Sequence, residues 1–371
     1  MIRNLRLATH VLRNWASYIL GAPDPVPIGY VILGVTYACN GRCLMCDLHY
    51  FYRDHPARKG AELETDTLLR RLWESRIIRN VRHLDITGGE PFLRKDLSDL
   101  VIGLFRMPRL ELVSVNTNGM DTPRVVSHVK EILGNLAPEQ GFSMSLSVDG
   151  VGDLHDRIRG VDGAFTRLTD TIHLLRGLRV QYPNFSLRSN TVIQPENVHA
   201  LDQIGHFCKV QGLQASFSLF QNPYYTRRRT EASPRVPFAP DEIEKIKSIG
   251  PKSKGMNYYL DHGFKRPLHC FAGYAALFID PFGAVYPCNY LTGNEGYRMG
   301  SIQESSLDSI WTSALSSRVR GRVKACPETR CWNGCEVDQT LIQHEPLDRL
   351  VRASTFGLLG YYRLRGLKGF Q

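Results

Sequence analysis

No uncharged apolar stretch in this 371-residue chain reaches the roughly 20 residues that a membrane-spanning helix needs, so no transmembrane helix is predicted. A cleavable signal is missing as well. In MIRNLRLATHVLRNWASYILGAPDP the apolar run is broken by Arg13 and Asn14, and no small-residue cleavage site follows. There is no low-complexity tract and no repeat beyond a βα alternation. With 43% hydrophobic residues the chain has enough apolar material for a large core, which excludes general disorder. Cysteine is scarce and odd in number, nine in all, and most fall into two groups with short internal spacings. That pattern excludes a secreted disulfide framework and suits metal chemistry in a reducing, cytoplasmic setting. Acidic residues are outnumbered, 36 against 46 Lys and Arg, for a net charge of +10. Such a balance favours anionic partners, whether phosphorylated metabolites, lipid headgroups or nucleic acid.

What is present is a regular rhythm. From Tyr30 onward, short β-branched runs alternate with amphipathic helical patterns, the signature of parallel strands joined by crossover helices. Six strands are predicted, at residues 30–36, 82–87, 110–116, 142–148, 185–193 and 214–220. The expected fold class is α/β, an open or partial TIM-like barrel. After a Pro- and Arg-rich stretch, TRRRTEASPRVPFAPDE, the βα units give way to a region holding five of the nine cysteines. The predicted organisation is an N-terminal arm (1–29), a barrel (30–225), a linker and helix (226–267), a cysteine-rich domain (268–340) and a basic, aromatic tail (341–371).

In a parallel barrel the loops that follow the strands share one face, where active sites are built. Cys39, Cys43 and Cys46 follow the first strand and Gly88, Gly89, Glu90 and Pro91 the second; Thr117 and Asn118 follow the third, and Asp149 ends the fourth. Three thiolates in eight positions, CNGRCLMC, are one ligand short of a closed metal site. The bland alternative is zinc, with His49 or His55 as fourth ligand.

On these residues the chain resembles the radical S-adenosylmethionine (SAM) superfamily, whose mark is C-x3-C-x2-C after the first strand of a partial (β/α)6 barrel. The resemblance implies a [4Fe-4S] cluster on Cys39, Cys43 and Cys46, with SAM chelating the fourth iron. It implies that Gly88, Gly89, Glu90 and Pro91 contact the methionine end of SAM, glycine being required for close backbone approach to the ligand. Thr117, Asn118, Ser147 and Asp149 are expected near the ribose or methionine, and Arg159 at the SAM carboxylate. Met45 stands where the family commonly has an aromatic residue against adenine, and its thioether offers a polarizable contact.

CFAGYAALFIDPFGAVYPC, with Cys270 and Cys288 flanking the turn Asp280-Pro281-Phe282-Gly283, resembles the opening of SPASM and twitch extensions that carry auxiliary iron–sulfur clusters. Cys270, Cys288, Cys331 and Cys335 are the expected ligands of a second [4Fe-4S] cluster, and Cys326 the spare or alternate. Cys208 lies mid-helix and reads as a core residue. The alternative for this group is again structural zinc.

The implied activity is reductive cleavage of SAM to a 5′-deoxyadenosyl radical that abstracts hydrogen from an unactivated carbon, with an electron donor such as flavodoxin or ferredoxin. From charge, a small anionic or lipid-linked substrate is expected. The alternatives are maturation of a ribosomally made peptide, although residues 1–29 are too short for a leader-recognition domain, and a non-catalytic iron–sulfur or zinc protein that binds nucleic acid. Tyr50, Tyr52, Tyr224, Tyr225 and Arg227, Arg228 and Arg229 are candidate substrate contacts. An amphipathic N-terminal helix with Arg3, Arg6, His10 and Arg13 on one side and Trp15 among its apolar residues suits either peripheral membrane contact or packing against the barrel or a partner, as does the tail with Arg363, Arg365 and Lys368.

Overall fold

The computed structural model describes residues 12–19, 28–220, 238–249, 259–261, 263–264, 269–326 and 331. The six expected strands form within two residues of their sequence bounds: β1 Tyr30–Gly34, β2 His83–Thr87, β3 Leu112–Thr117, β4 Gly141–Ser147, β5 Phe185–Ile193 and β6 Gln214–Leu219. All five pairings between them are parallel and consecutive, so the strands curve into a partial barrel that does not close.

Alternation along each strand separates two faces. Val31, Leu33, Leu84, Ile86, Val113, Val115, Phe142, Met144 and Leu187 all belong to one apolar core. The crossover helices close over them: α2 Thr65–Trp73, α3 Leu97–Leu104, α4 Thr122–Asn135, α6 Ala164–Gln181 and α7 Leu201–Val210, with the short α5 Asp153–Arg159 between β4 and α6. Asp121 caps α4 by accepting from the Arg124 amide, and Pro123 sits in its first turn, where a missing N–H costs nothing. Cys208 is fully buried in α7 and accepts from Ser189 Oγ at 3.1 Å, the core role expected of it.

The cysteine-rich region does not stand apart from the barrel. Its strands β7 Ala276–Ile279, β8 Ala284–Tyr286 and β9 Gly300–Ser301 continue the same sheet, in the order β6-β5-β4-β3-β2-β1-β7-β8-β9. The join is a parallel pairing of β7 with the free edge of β1, Tyr30 opposite Ala276. A free barrel edge offers a row of unpaired backbone groups, and the hairpin covers it.

The segment expected to hold a linker and helix contains α8, Pro240–Ile249, which buries Ile246 in the barrel core and pairs Lys245 with Asp202 on α7. The N-terminal helix, α1 (residues 12–19), turns Trp15 and Tyr18 inward onto Phe271 and Tyr274 of the cysteine-rich region, with Trp15 and Phe271 rings 5.0 Å apart. Trp15 therefore serves packing rather than a membrane face, while Leu12 and Ile19 stay exposed. Among the described residues no helix is long and apolar enough to cross a membrane. Arg3, Arg6, His10, Tyr224, Tyr225, Arg227, Arg228, Arg229, Cys335 and the tail lie outside the described residues.

Candidate active site

The cysteine loop leaves β1 and is held in place from three sides. On the first side lies the loop after β2. The Gly89 amide donates to Thr36 O and the Glu90 amide to Ala38 O, both at 2.7 Å, prolonging the β1–β2 pairing past the strand ends. This explains the two glycines. A Cβ on Gly88 would stand 2.2 Å from Thr36 O, and one on Gly89 2.1 Å from Ala38 O. The close approach they permit within the chain is to its own backbone ahead of Cys39.

On the second side is the loop after β3. Glu90 is buried and accepts from the Asn118 amide at 2.7 Å, Thr117 Oγ1 at 2.8 Å and the Phe92 amide at 3.1 Å. Burial outweighs these donors and raises its carboxyl to about 7. Asn118 in turn donates through Nδ2 to Asn40 Oδ1 at 2.7 Å, inside the cysteine loop. Glu90, Thr117 and Asn118 thus lock three loops together, and Pro91 starts the buried turn that follows.

The third side is α5. The amides of Arg42 and Leu44 donate to Arg159 O and Ile158 O, both at 2.9 Å, so the last turn of the helix is stitched to the middle of the loop. The buried Arg159 guanidinium forms an ion pair with Asp149 and donates to Cys43 Sγ at 3.5 Å. Asp149 is fully buried and also accepts from the Val192 amide at 2.8 Å. Its own amide donates to His155 Nδ1, which burial keeps neutral by lowering that imidazole to about 3. Arg159 therefore faces a cysteine and an aspartate of its own chain. Ser147 lies half-buried at the end of β4, and Met45 places its sulfur 3.9 Å from Gln194 Nε2 beyond the end of β5.

The donor chemistry fits a multi-iron cluster better than one zinc ion. The sulfurs of Cys39 and Cys43 both lie within 4 Å of the point where a Gly41 Cβ would stand, so the loop turns them toward each other. Burial pushes the Cys39 and Cys46 thiols up to about 12, and mutual repulsion with Cys43 adds to it. As bare thiolates they would be costly; bound to iron they would not. Yet among the described residues no three Cys, His, Asp or Glu side chains are gathered closely enough to share a single metal ion. A four-iron cluster gives each thiolate a different iron and tolerates the wider spacing. His49 and His55 hold their Nδ1 atoms 3.1 Å from Cys46 O and Phe51 O, and among the described residues neither joins the cysteines in a group able to hold one metal ion.

The segment after the cysteines bridges barrel and hairpin. Phe51 packs between Tyr37 and Phe282, and Tyr52 donates its hydroxyl to Glu62, which also accepts from Thr36 Oγ1 and the Tyr37 amide. Tyr52 is thereby tied to the loop that follows β1. Tyr50 stacks on His49 and lies under Arg53.

The second cysteine group gathers about the hairpin. Asp280 accepts from the Phe282 and Ala284 amides and shapes the turn between β7 and β8. Cys288 belongs to a small core with Ala272, Tyr290, Leu291 and Val323, against which Cys270, Cys326 and Cys331 all pack. Cys326, just past the helix α9 Ala314–Lys324, packs with this group, while Cys335 lies outside the described residues.

Sequence reasoning passed over the barrel's inner face. Opposite the apolar core, strands β2 to β5 present His83, Asp85, Ser114, Ser143, Ser145 and Arg188, where such barrels usually pack branched apolar residues. The signal was legible as polar residues at every second position of LDIT, LVSVN, FSMSLS and LRSN.

Comparison with known proteins places these features. The radical SAM superfamily pattern matches residues 33–208, and that of the SPASM iron–sulfur cluster-binding domain matches 270–336. A PqqA peptide cyclase of Rhodopseudomonas palustris is 28% identical over 304 residues, 78% of this chain and 75% of that protein. An AdoMet-dependent heme synthase of Methanosarcina barkeri is 25% identical over 286 residues, 68% of this chain and 76% of that protein. Among solved structures, Streptococcus suis SuiB bound to its precursor peptide SuiA superposes with a TM-score of 0.57 at 15% identity, covering 85% of this chain and 71% of SuiB. At that identity the likeness concerns the fold.

Proposed function

The chain belongs to the radical SAM superfamily and carries a C-terminal SPASM domain, and from that premise we propose that it is an enzyme that modifies a peptide. The matched domains imply a [4Fe-4S] cluster with SAM in the first and auxiliary iron–sulfur chemistry in the second. This reading takes the maturase alternative over the small anionic or lipid-linked substrate suggested by net charge. The observation that carries it is the likeness to a peptide cyclase over three quarters of both chains.

Cys39, Cys43 and Cys46 would hold the SAM-binding cluster; Cys270, Cys288, Cys326 and Cys331 would hold an auxiliary one. When bound, the cluster and SAM supply the radical chemistry, reductive cleavage giving a 5′-deoxyadenosyl radical able to abstract hydrogen from an unactivated carbon. The protein's share is positioning. Arg159 and the Glu90 network fix the cysteine loop, and the buried loops after β2, β3 and β4 shield the mouth from water. The half-open barrel supplies a polar inner face along which an extended backbone finds hydroxyl partners.

The test uses anaerobically reconstituted protein and an extract of the source cells divided into peptide and small-metabolite fractions. Formation of 5′-deoxyadenosine above the substrate-free rate should rise with the peptide fraction, and pretreating that fraction with protease should abolish the rise. Stimulation confined to the small-metabolite fraction would instead favour a substrate of the kind the heme synthase relative suggests.

A further inference from the structure

We propose that the floor of the barrel is an anion pocket, with Arg188 as receptor for a carboxylate of the substrate; where the substrate is a peptide, as proposed above, this is an acidic side chain or the chain terminus. Arg188 sits in the middle of β5 opposite Ser145 of β4, on the inner face. Its side chain does not stop at the neighbouring strand. Nη2 donates to Ser114 Oγ on β3 at 3.1 Å, so the guanidinium passes over β4 beside Ser143, which is itself opposite Ser114.

Two polar groups are left without partners at this place. Ser143 is 1% exposed, and its Oγ makes no hydrogen bond among the described residues; nor does the buried Nε of Arg188. Leaving a buried donor without a partner is costly, and native proteins seldom keep one without a use. Here one such group is an N–H of the Arg188 cation and the other a hydroxyl on the strand its guanidinium crosses.

The nearest acid offsets it only in part. Asp85 lies one strand further on, opposite Ser114; one oxygen accepts from the Tyr30 hydroxyl, the other lies 2.9 Å from His83 Nε2, and the Arg188 charge, outside ion-pair distance, helps hold that carboxyl below its usual range. Among the described residues Arg188 forms no ion pair. Asp85 repels an incoming anion at longer range, with His83 Nε2 lying between its carboxyl and Ser114. A guanidinium N–H beside a hydroxyl matches the two coplanar oxygens of a carboxylate.

The depth also fits. Ser145, level with Arg188, precedes Asp149 at the mouth by four residues, roughly 13 Å of strand. A bound carboxylate at the floor would leave about that length of extended substrate between it and the SAM-binding loops. The pocket would thus set which residue of a peptide reaches the reacting position.

The test is ligand-observed NMR on the reconstituted full chain with three probes: N-acetyl-glutamate N-methylamide, the corresponding glutamine derivative, and glutarate. The blocked glutamate should bind at least about tenfold more tightly than the glutamine probe, equivalent to about 1.4 kcal/mol. R188Q should lose that preference and R188K keep part of it. Independently of any variant, mass-mapped phenylglyoxal labelling of Arg188 in the wild-type protein should slow when the glutamate probe is present. Preferential binding of glutarate, with the same dependence on Arg188, would keep the pocket while counting against a peptide substrate. Equal binding of the glutamate and glutamine probes, a preference that survives R188Q, or no protection of Arg188 by either carboxylate would overturn the pocket. A protein that binds the glutamate probe yet shows no protease-sensitive stimulation would fail the peptide reading alone.

Discussion

Arg159 donates a hydrogen bond to the sulfur of Cys43 at 3.5 Å while its other edge is paired with Asp149. The contact joins the last turn of α5 to the middle of the C-x3-C-x2-C loop. Hydrogen bonds and positive charge at a ligating sulfur stabilise the reduced, more negative state of an iron–sulfur cluster. R159Q should therefore lower the midpoint potential of the SAM-binding cluster. The measurement is a redox titration followed by electron paramagnetic resonance, and a potential equal to that of the wild type would contradict the role.

Glu90 leads to a pH prediction. Its folded value of about 7 lies above the ordinary 4.5, so the protonated form is favoured in the folded state. Its contribution is fully present below pH 4.5 and is lost as pH rises to about 7, amounting to about 3 kcal/mol. His155, held well below its ordinary value by burial, acts in the opposite sense, losing stability as pH falls below 6.5. The clean readout is therefore the difference in urea-unfolding free energy between wild type and E90Q across that interval. A difference independent of pH would show that Glu90 does not titrate there.

Gly89 admits no side chain without moving backbone. G89A places a methyl 2.1 Å from Ala38 O, on the residue just before Cys39. Overpacking of this kind costs about 3 kcal/mol and here displaces the ligand loop directly. The variant should retain less iron after reconstitution, with helix content by circular dichroism near that of the wild type. Iron at the wild-type level would mean that the loop adapts.

Cys326 separates the two readings of the second cysteine group. It packs with Cys270, Cys288 and Cys331 around Val323 and Leu291. C326S should reduce total iron from about eight to about four per chain, given four irons in each cluster. Iron unchanged in C326S but halved in C335S would restore the ligand set first expected from the sequence.

Much of the fold was readable because its signals are local. Strand alternation, helix period and the turn at Asp280–Gly283 each lie within a few residues, so all six barrel strands and the hairpin were placed. The continuation of the sheet across β1 and β7 was not, because edge pairing joins segments more than 240 residues apart that share no local pattern. Trp15 left two readings open for a related reason: an aromatic face suited to a membrane is equally suited to Phe271 and Tyr274.

By itself the sequence determined the chemistry: three cysteines one ligand short, a glycine pair that permits close backbone approach, and a second cysteine group on a hairpin. These follow from residue type and spacing, which fix what atoms are available. Tertiary structure decided what those atoms face. It turned Arg159 onto Cys43 and Asp149, directed the close approach of Gly88 and Gly89 to the chain's own backbone, and drew Cys326 in among Cys270, Cys288 and Cys331. It also carried Arg188 across β4 to Ser114, making a pocket floor of a lone strand arginine. Spacing along a chain limits which residues are near in sequence, whereas charge pairing and burial depend on distances that only the closed-up sheet and its helices set.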